Sequence, residues 1–338
     1  MTFNERVAAL ASLGFSERQT RFLVMVALHS GFCLRRHYTA FADLQYGAGV
    51  RDFLDRLVSR RLARRLDFRR DRGHVYHLCN SSIYNAIGQD DNRNRRRTSP
   101  ALIARKLMLL DYVLARRDAD WYATEADKVA LFTGRFAVPM SDLPRREYKS
   151  KSWRTPPTCR YFIHKLPISL SGDPPFASFV CLVTDTTGEA FAEFLKDHLP
   201  LLNRLPFWRV VAVAPSHIPG FPACEKTFRR VAAEAQRPRQ RHEIDALHRH
   251  FTTCSHLERD DVNSLTTSAI YEFKDARQRL GQSQFESLFQ RWKAEGPTVL
   301  ATLPAPGFVS ALQEQRGVFV TYQLPIRYDR FGNHAGVV

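Results

Sequence analysis

The sequence predicts two folds in tandem: an α+β winged helix-turn-helix over residues 1–89 and an α/β domain over 151–330. Three observations carry this expectation. An amphipathic, arginine-studded helix near the front of the chain is followed at once by two short extended runs. Two continuous apolar runs, 176–184 and 207–215, flank a helical stretch, which is the pattern of a βαβ unit with parallel pairing. The 338 residues, 44% of them hydrophobic, suffice for about two packed cores.

The basic helix is the element around which the first domain is read. Val50, Phe53, Leu54, Leu57 and Val58 recur at i, i+3, i+4, i+7 and i+8, the spacing of one apolar helical stripe. The opposite face carries Arg51, Asp52, Arg56, Arg60 and Arg61. Residues 64–68 and 74–78 then alternate as strands, with Arg69, Arg70, Asp71, Arg72 and Gly73 between them as a hairpin tip. In such an arrangement the helix enters the major groove and the hairpin rests on phosphates.

The preceding elements fit the same order. Residues 4–13 form a first helix, closed by Gly14. Ser16 and Gln19 form a capping box for a second helix whose core stripe is Phe22, Leu23, Val26 and Ala27. Residues 35–45 form the first helix of the helix-turn-helix, with Ala40, Phe41 and Leu44 expected inside and Arg35 and Arg36 outside, available to phosphate. Tyr46 to Gly49 supplies the turn.

Composition points the same way. The net charge is +16, the isoelectric point is near 9.9, and nine lysines leave 41 arginines among 50 cations. An arginine-rich proteome explains the bias but not the clustering between Arg51 and Arg97, which a polyanionic partner explains. No apolar run is long enough for a membrane span, and the first residues lack a signal-peptide core. Cys33, Cys79, Cys159, Cys181, Cys224 and Cys254 are scattered without a C-x-x-C pair, the usage expected of reduced cysteines in a cytoplasmic protein.

Residues 90–150 read as a basic linker with connecting helices. The run from Asp90 to Pro100, with Arg93, Arg95, Arg96 and Arg97, is a loop open to water or to phosphate. Pro100 opens a helix apolar over most of its surface, expected between domains or against a second copy. Residues 121–132 continue as helix. In the second half, 160–167 reads as a strand, 188–199 as the βαβ helix, 227–235, 244–251, 262–280 and 284–294 as helices, 298–303 and 318–322 as late strands, and 331–338 as an unfolded tail.

The order of the S-E-R-Q helix, the R-D-F-L-D-R-L-V-S-R-R-L-A-R-R helix, the hairpin ending V-Y-H-L, the short helix ending at Gly88, and then L-M-L-L-D-Y-V-L-A and W-Y-A-T-E-A resembles the replication-relaxation family, mainly over residues 10–130. That resemblance implies a winged-helix protein of plasmids, phages or integrative elements, and a second half similar to a restriction-endonuclease-like fold.

Such a nuclease needs two carboxylates on Mg²⁺ and a lysine beside the attacking water. The residues available are Asp173, Asp185 and Lys196, but Thr187 stands where the lysine two positions beyond Asp185 belongs, so the set is degenerate. Capping of the helix near Gly188 is the simpler role for Asp185. His242, His248, His250, Cys254 and His256 offer zinc-type donors at a spacing that matches no zinc motif, and they read as ordinary surface residues. No metal or cofactor is expected. The chain is expected to be a sequence-specific DNA-binding regulator of a bacterial mobile element or defence or transfer system, acting as a homodimer on double-stranded DNA without a membrane partner. The alternatives are a Mg²⁺-dependent nuclease and a replication or relaxosome accessory protein.

Overall fold

The computed structural model describes residues 1–45, 47–67, 74–148, 158–172, 175–205, 207–218, 220–235, 241–259, 261, 265–266, 268–271, 273, 283–301 and 317–328. It is a mixed α/β protein. The chain divides into two compact units, Met1–Phe228 with Arg316–Val338, and Arg229–Gln315.

The first unit begins with α1 (Phe3–Ala9) and a short 3₁₀ turn (Ala11–Leu13). Helix α2 (Glu17–His29) starts where the Ser16 and Gln19 side chains exchange hydrogen bonds with each other's backbone N–H, at 3.4 and 3.1 Å. Its residues from Phe22 to His29 are all buried, so it is surrounded rather than half-solvated. Then come β1 (Phe32–Cys33), α3 (Arg35–Ala42), α4 (Ala48–Ser59), and the antiparallel pair β2 (Ala63–Asp67) and β3 (His74–Leu78). The three strands form one sheet in the order β1-β3-β2. Arg69, Arg70 and Arg72 at the hairpin tip lie outside the described residues.

Helix α4 buries Val50, Phe53, Leu54 and Leu57 as its spacing predicts, with Val58 half-buried. Phe53 meets Phe15, Phe22 and Tyr38 at ring-centroid distances of 5.8, 6.3 and 4.3 Å. Each such apolar side chain contributes roughly 1.5–3 kcal/mol on burial, which anchors the helix and fixes which face points outward. The helix ends in a Schellman turn. The Leu62 N–H donates to the Leu57 carbonyl and Arg61 N–H to the Val58 carbonyl, both at 2.9 Å, with Arg61 at φ 57°.

In α3 the expected phase is corrected. His37, Tyr38 and Ala42 are buried and Phe41 half-buried, while Ala40 and Leu44 are exposed. Tyr38, packed on Phe22 and Phe53 at 5.1 and 4.3 Å, turns the buried face away from Ala40, and Leu44 falls past the helix end at Ala42.

After α5 (Ser81–Ala86) and a 3₁₀ turn (Arg93–Arg95) comes α6 (Pro100–Leu114). Ile103, Leu107, Met108, Tyr112 and Val113 share one core with Phe32 and Val75 of the three-stranded sheet and with Val180, Leu182, Val211 and Val213 of a second sheet. The composition breaks at 89 and 150 therefore fall inside one compact unit, because α6 is core to both sheets.

The second sheet has the order β10-β9-β8-β7-β4, from β4 (Asp120–Tyr122), β7 (Ile168–Ser171), β8 (Phe176–Leu182), β9 (Trp208–Ala214) and β10 (Gly317–Gln323). β8, β9 and β10 run parallel, and β7 and β4 add antiparallel. Helix α8 (Glu189–Leu202) links β8 to β9, so the βαβ expectation stands in the structure. The segment read as helix from residue 121 starts instead as β4, with α7 (Glu125–Ala130) after it. The strand read over 160–167 divides into β6 (Thr158–Tyr161), paired with β5 (Arg145–Tyr148), and a turn leading to β7.

Helix α9 (Pro222–Ala235) leads into the second unit, which contains α10 (Arg241–Glu258), α11 (Ser283–Glu295) and α12 (Thr298–Ala301) around Leu247, Phe251, Leu288, Phe289, Val299 and Leu300. The strand expected from residue 298 is a helical turn here: Val299 and Leu300 close this small helical core. The tail 331–338 lies outside the described residues, as does most of 262–280. No helix among the described residues is long and apolar enough to cross a membrane.

Candidate nucleic-acid interface

Helix α4 presents Arg51, Asp52, Asp55 and Arg56 to solvent, with Arg60 at its C-cap. These residues are not equivalent. The Arg56 guanidinium donates to Gln19 Oε1 at 2.8 Å and lies 4.8 Å from the Phe15 ring centre. Arg60 donates to the Leu13 carbonyl at 2.5 Å and covers the same ring at 5.2 Å. Both brace α4 against the start of α2. Arg51 extends from the first turn of α4 into solvent, one turn from the glycine-rich entry to the helix.

The two α3 arginines are held inward. Arg35 Nε donates to the Tyr76 hydroxyl at 3.3 Å. Arg36 donates to Asp111 Oδ2 on α6 at 2.5 Å. Asp111 also accepts a short hydrogen bond from Tyr328 and sits 3.0 Å from His37 Nε2. The Leu34 N–H donates to His37 Nδ1 at 3.1 Å, which leaves the His37 proton on the nitrogen facing Asp111. Burial alone raises the Asp111 pKa, but His37, Arg36 and Tyr328 outweigh it and hold the carboxyl at about 2. Asp111 thus ties α3, α6 and the last described segment of the chain together, and Arg36 is committed to that tie.

A denser cationic surface lies beside the hairpin. Arg61, Arg64 and Arg65 are exposed and line an open groove with Arg95, Cys79 and Asn80. Arg65 is 3.4 Å from Asp67, which also binds His74 at 2.6 Å. The run from Asp90, expected as a water-exposed loop, is pinned at Asn94. The Asn94 side chain donates to the Ala27 and Leu28 carbonyls at 2.9 and 3.2 Å and accepts from Lys106 Nζ at 2.6 Å. Its own carbonyl meets His77 Nε2 at 3.0 Å. Gly31, at φ 78°, gives the loop room: a Cβ there would run into the Asn94 backbone. Burial pushes His77 down to about 4, and Lys106, Arg64 and Arg97 push the same way.

The nuclease set does not assemble. Asp185 Oδ1 accepts from Thr187 N, Thr187 Oγ1 and Gly188 N at 3.0, 2.7 and 3.4 Å, which closes the turn into α8 and lowers its pKa. Lys196 is exposed on α8, about two turns past the start of the helix, roughly 10 Å along the axis. Asp173 lies outside the described residues. In the second unit, His250 is buried against Phe273 with Cys254 Sγ 3.7 Å away, while His256 pairs with Asp261 at 3.1 Å. The side chain of His242 is not among those described. Among the described residues no group of three or more histidine, cysteine, aspartate or glutamate side chains is placed to hold a metal.

The structure brings residues to this surface that sequence reasoning passed over. Asn94 has no composition signal apart from its place in an arginine run. Lys165, from the β6–β7 region, comes close enough to feel the charges of Arg93 and Arg96 from some seventy residues away in the chain, and the sequence carries no mark of it. No protein-family model, curated protein or solved structure matches this chain.

Proposed function

We propose that this chain binds duplex DNA through a winged helix-turn-helix formed by residues 1–89, with α4 in the major groove and the β2–β3 hairpin on phosphates, and that it acts as a sequence-specific regulator. One observation carries the reading: the succession of α2, β1, α3, α4 and a hairpin, joined by a β1-β3-β2 antiparallel sheet, holds a helix whose outer face is polar and charged and whose inner face is locked by Phe53 and Leu57. That is a charged helix face held beside a cationic hairpin, the arrangement that major-groove reading uses. Arg51 is the base-contacting residue in this reading, and Arg61, Arg64 and Arg65 contact phosphate. Arg56 and Arg60 brace the helix, and Arg36 serves the Asp111 tie. A bacterial mobile element, defence or transfer system is the setting the reading retains from the resemblance described above, with a homodimer reading two half-sites.

The test is selection of bound duplexes from random DNA, followed by mobility-shift titration of the enriched sequence. Arg51→Ala should cost about 1–3 kcal/mol on that sequence and relax preference at one position, while Arg64→Ala should weaken all duplexes alike. Failure to enrich any motif, with equal binding to every duplex, removes the specificity claim. Absence of binding at low salt removes the whole reading.

A further inference from the structure

We infer that the chain carries a second phosphate-gripping surface, formed by the Arg93–Arg97 loop together with Arg160 and Lys165, which continues the duplex contact beyond the winged module. The inference rests on the proposed duplex binding and extends it to a part of the fold that such a module does not contain.

Three observations place the two cationic surfaces side by side. Arg64 lies opposite His77 in the β2–β3 register, and His77 Nε2 meets the Asn94 carbonyl at 3.0 Å, so the hairpin base and the loop touch through one residue. Asn94 is fixed on both sides, to the end of α2 and to Lys106. Its flanking residues Arg93, Arg96 and Arg97 are exposed, so the loop is a held scaffold with arginines turned outward. On the far side, partial desolvation together with Arg93, Arg160 and Arg96 holds the exposed Lys165 below the usual lysine range, with Glu125 opposing.

Like charges kept this close cost stability unless something offsets them. Among the described residues the nearby carboxylates are Asp90 and Asp91 in the same run, Asp67 and Glu125, fewer than the cations they face. Asp67 serves Arg65 and His74, and Glu125 lies 4.0 Å from Arg160 while accepting from the Tyr161 N–H at 2.9 Å. A fold that pins an arginine loop rigidly, rather than letting the charges separate in solvent, is arranged for a partner with many closely spaced anions. Duplex DNA offers one per 1.7 Å of axis, at fixed geometry. An isolated small anion would need a pocket, and this surface is open.

The test compares the full chain with a triple variant, Arg93→Gln, Arg96→Gln and Lys165→Gln, and with Lys165→Gln alone as a milder change. Hydroxyl-radical footprints and the salt dependence of binding are read on a single 40-base-pair duplex. With about 0.9 counterions released per phosphate contact, the slope of log K against log salt should fall by about 3 in the triple variant and about 1 in the single one. Protection should shorten at one end only, leaving the α4 and hairpin contacts in place, and both variants should melt as the wild type does. If the variants keep the wild-type slope and footprint while the wild type binds, the second surface is refuted and the winged-helix reading survives. If the wild type shows no duplex binding, both fall together.

Discussion

Replacing Asn94 by alanine tests the anchoring that holds the arginine loop in place. The side chain makes a shared pair of bonds to the Ala27 and Leu28 carbonyls at the end of α2 and receives the Lys106 ammonium at 2.6 Å. The neutral pair contributes about 0.5–1.5 kcal/mol and the charged bond about 1.5–3. Lys106 keeps the Ser30 carbonyl at 3.0 Å, which softens the loss. The expected cost is roughly 2–4 kcal/mol, seen by thermal denaturation as a fall of about 5–15 °C for a unit of this size. Asn94→Asp discriminates the contributions. It retains an acceptor for Lys106 but cannot donate to the carbonyls, and its charge faces the negative end of α2. It should fall between the wild type and alanine. An Asn94→Ala protein that melts within about 2 °C of the wild type would refute the view that this residue anchors the loop.

Further outcomes concern the buried charges. Lys128 is 1% exposed, and burial pulls it down to about 7 against the pull of Asp127 and Glu125. The folded chain then binds fewer protons than the unfolded one between about 7 and 10.5, so stability should rise with pH across that window, and Lys128→Met should stabilise the protein at pH 7 by on the order of 3–4 kcal/mol with the gain fading toward pH 10, as urea titrations at several pH values would show. Burial lowers His29 and His198 to about 3 and His77 to about 4, so each costs stability progressively as pH falls below 6.5; calorimetry should show Tm falling from pH 6.5 to 4, with His29→Phe flattening that slope. Asp111, held at about 2, adds stability above 3.8 that disappears as pH falls toward 2; Asp111→Ala at pH 7 should lose about 3–5 kcal/mol by chemical denaturation, since Arg36 and Tyr328 are left without it. Arg61→Gly should stabilise by about 1 kcal/mol, because the left-handed φ of 57° costs an arginine more than a glycine.

The elements that were legible in the sequence are those whose signal is local. The capping box at Ser16, the α4 stripe and the β8–α8–β9 succession each depend on residues within one or two turns or strands, and each stands where the spacing put it. The misreadings share a different cause. Ala40 faces solvent because Tyr38 takes the core side of α3 against Phe22 and Phe53, and Leu44 falls past the helix end at Ala42. Trp121 lies in a strand because β7 pairs with it at Ser169, and Val299 turns helical because Leu247 and Phe251 await it. The residues proposed to face DNA were legible as a basic cluster. Their division into outward Arg51 and the self-bound Arg36, Arg56 and Arg60 was not, since a guanidinium reveals its partner only when the fold brings a carbonyl, a carboxylate or an aromatic ring to it.

The placement of β10 has a consequence for synthesis. The strand that pairs with β9 along residues 208–214 is made only after the 87 residues of the Arg229–Gln315 unit have left the ribosome. Until then one side of β9 has no neighbour, and its apolar W-R-V-V-A-V-A backbone is open to any passing strand. The nascent chain must shelter that edge while it makes its helical insertion, so a stall or cleavage between residues 229 and 315 should yield aggregated rather than merely shortened protein.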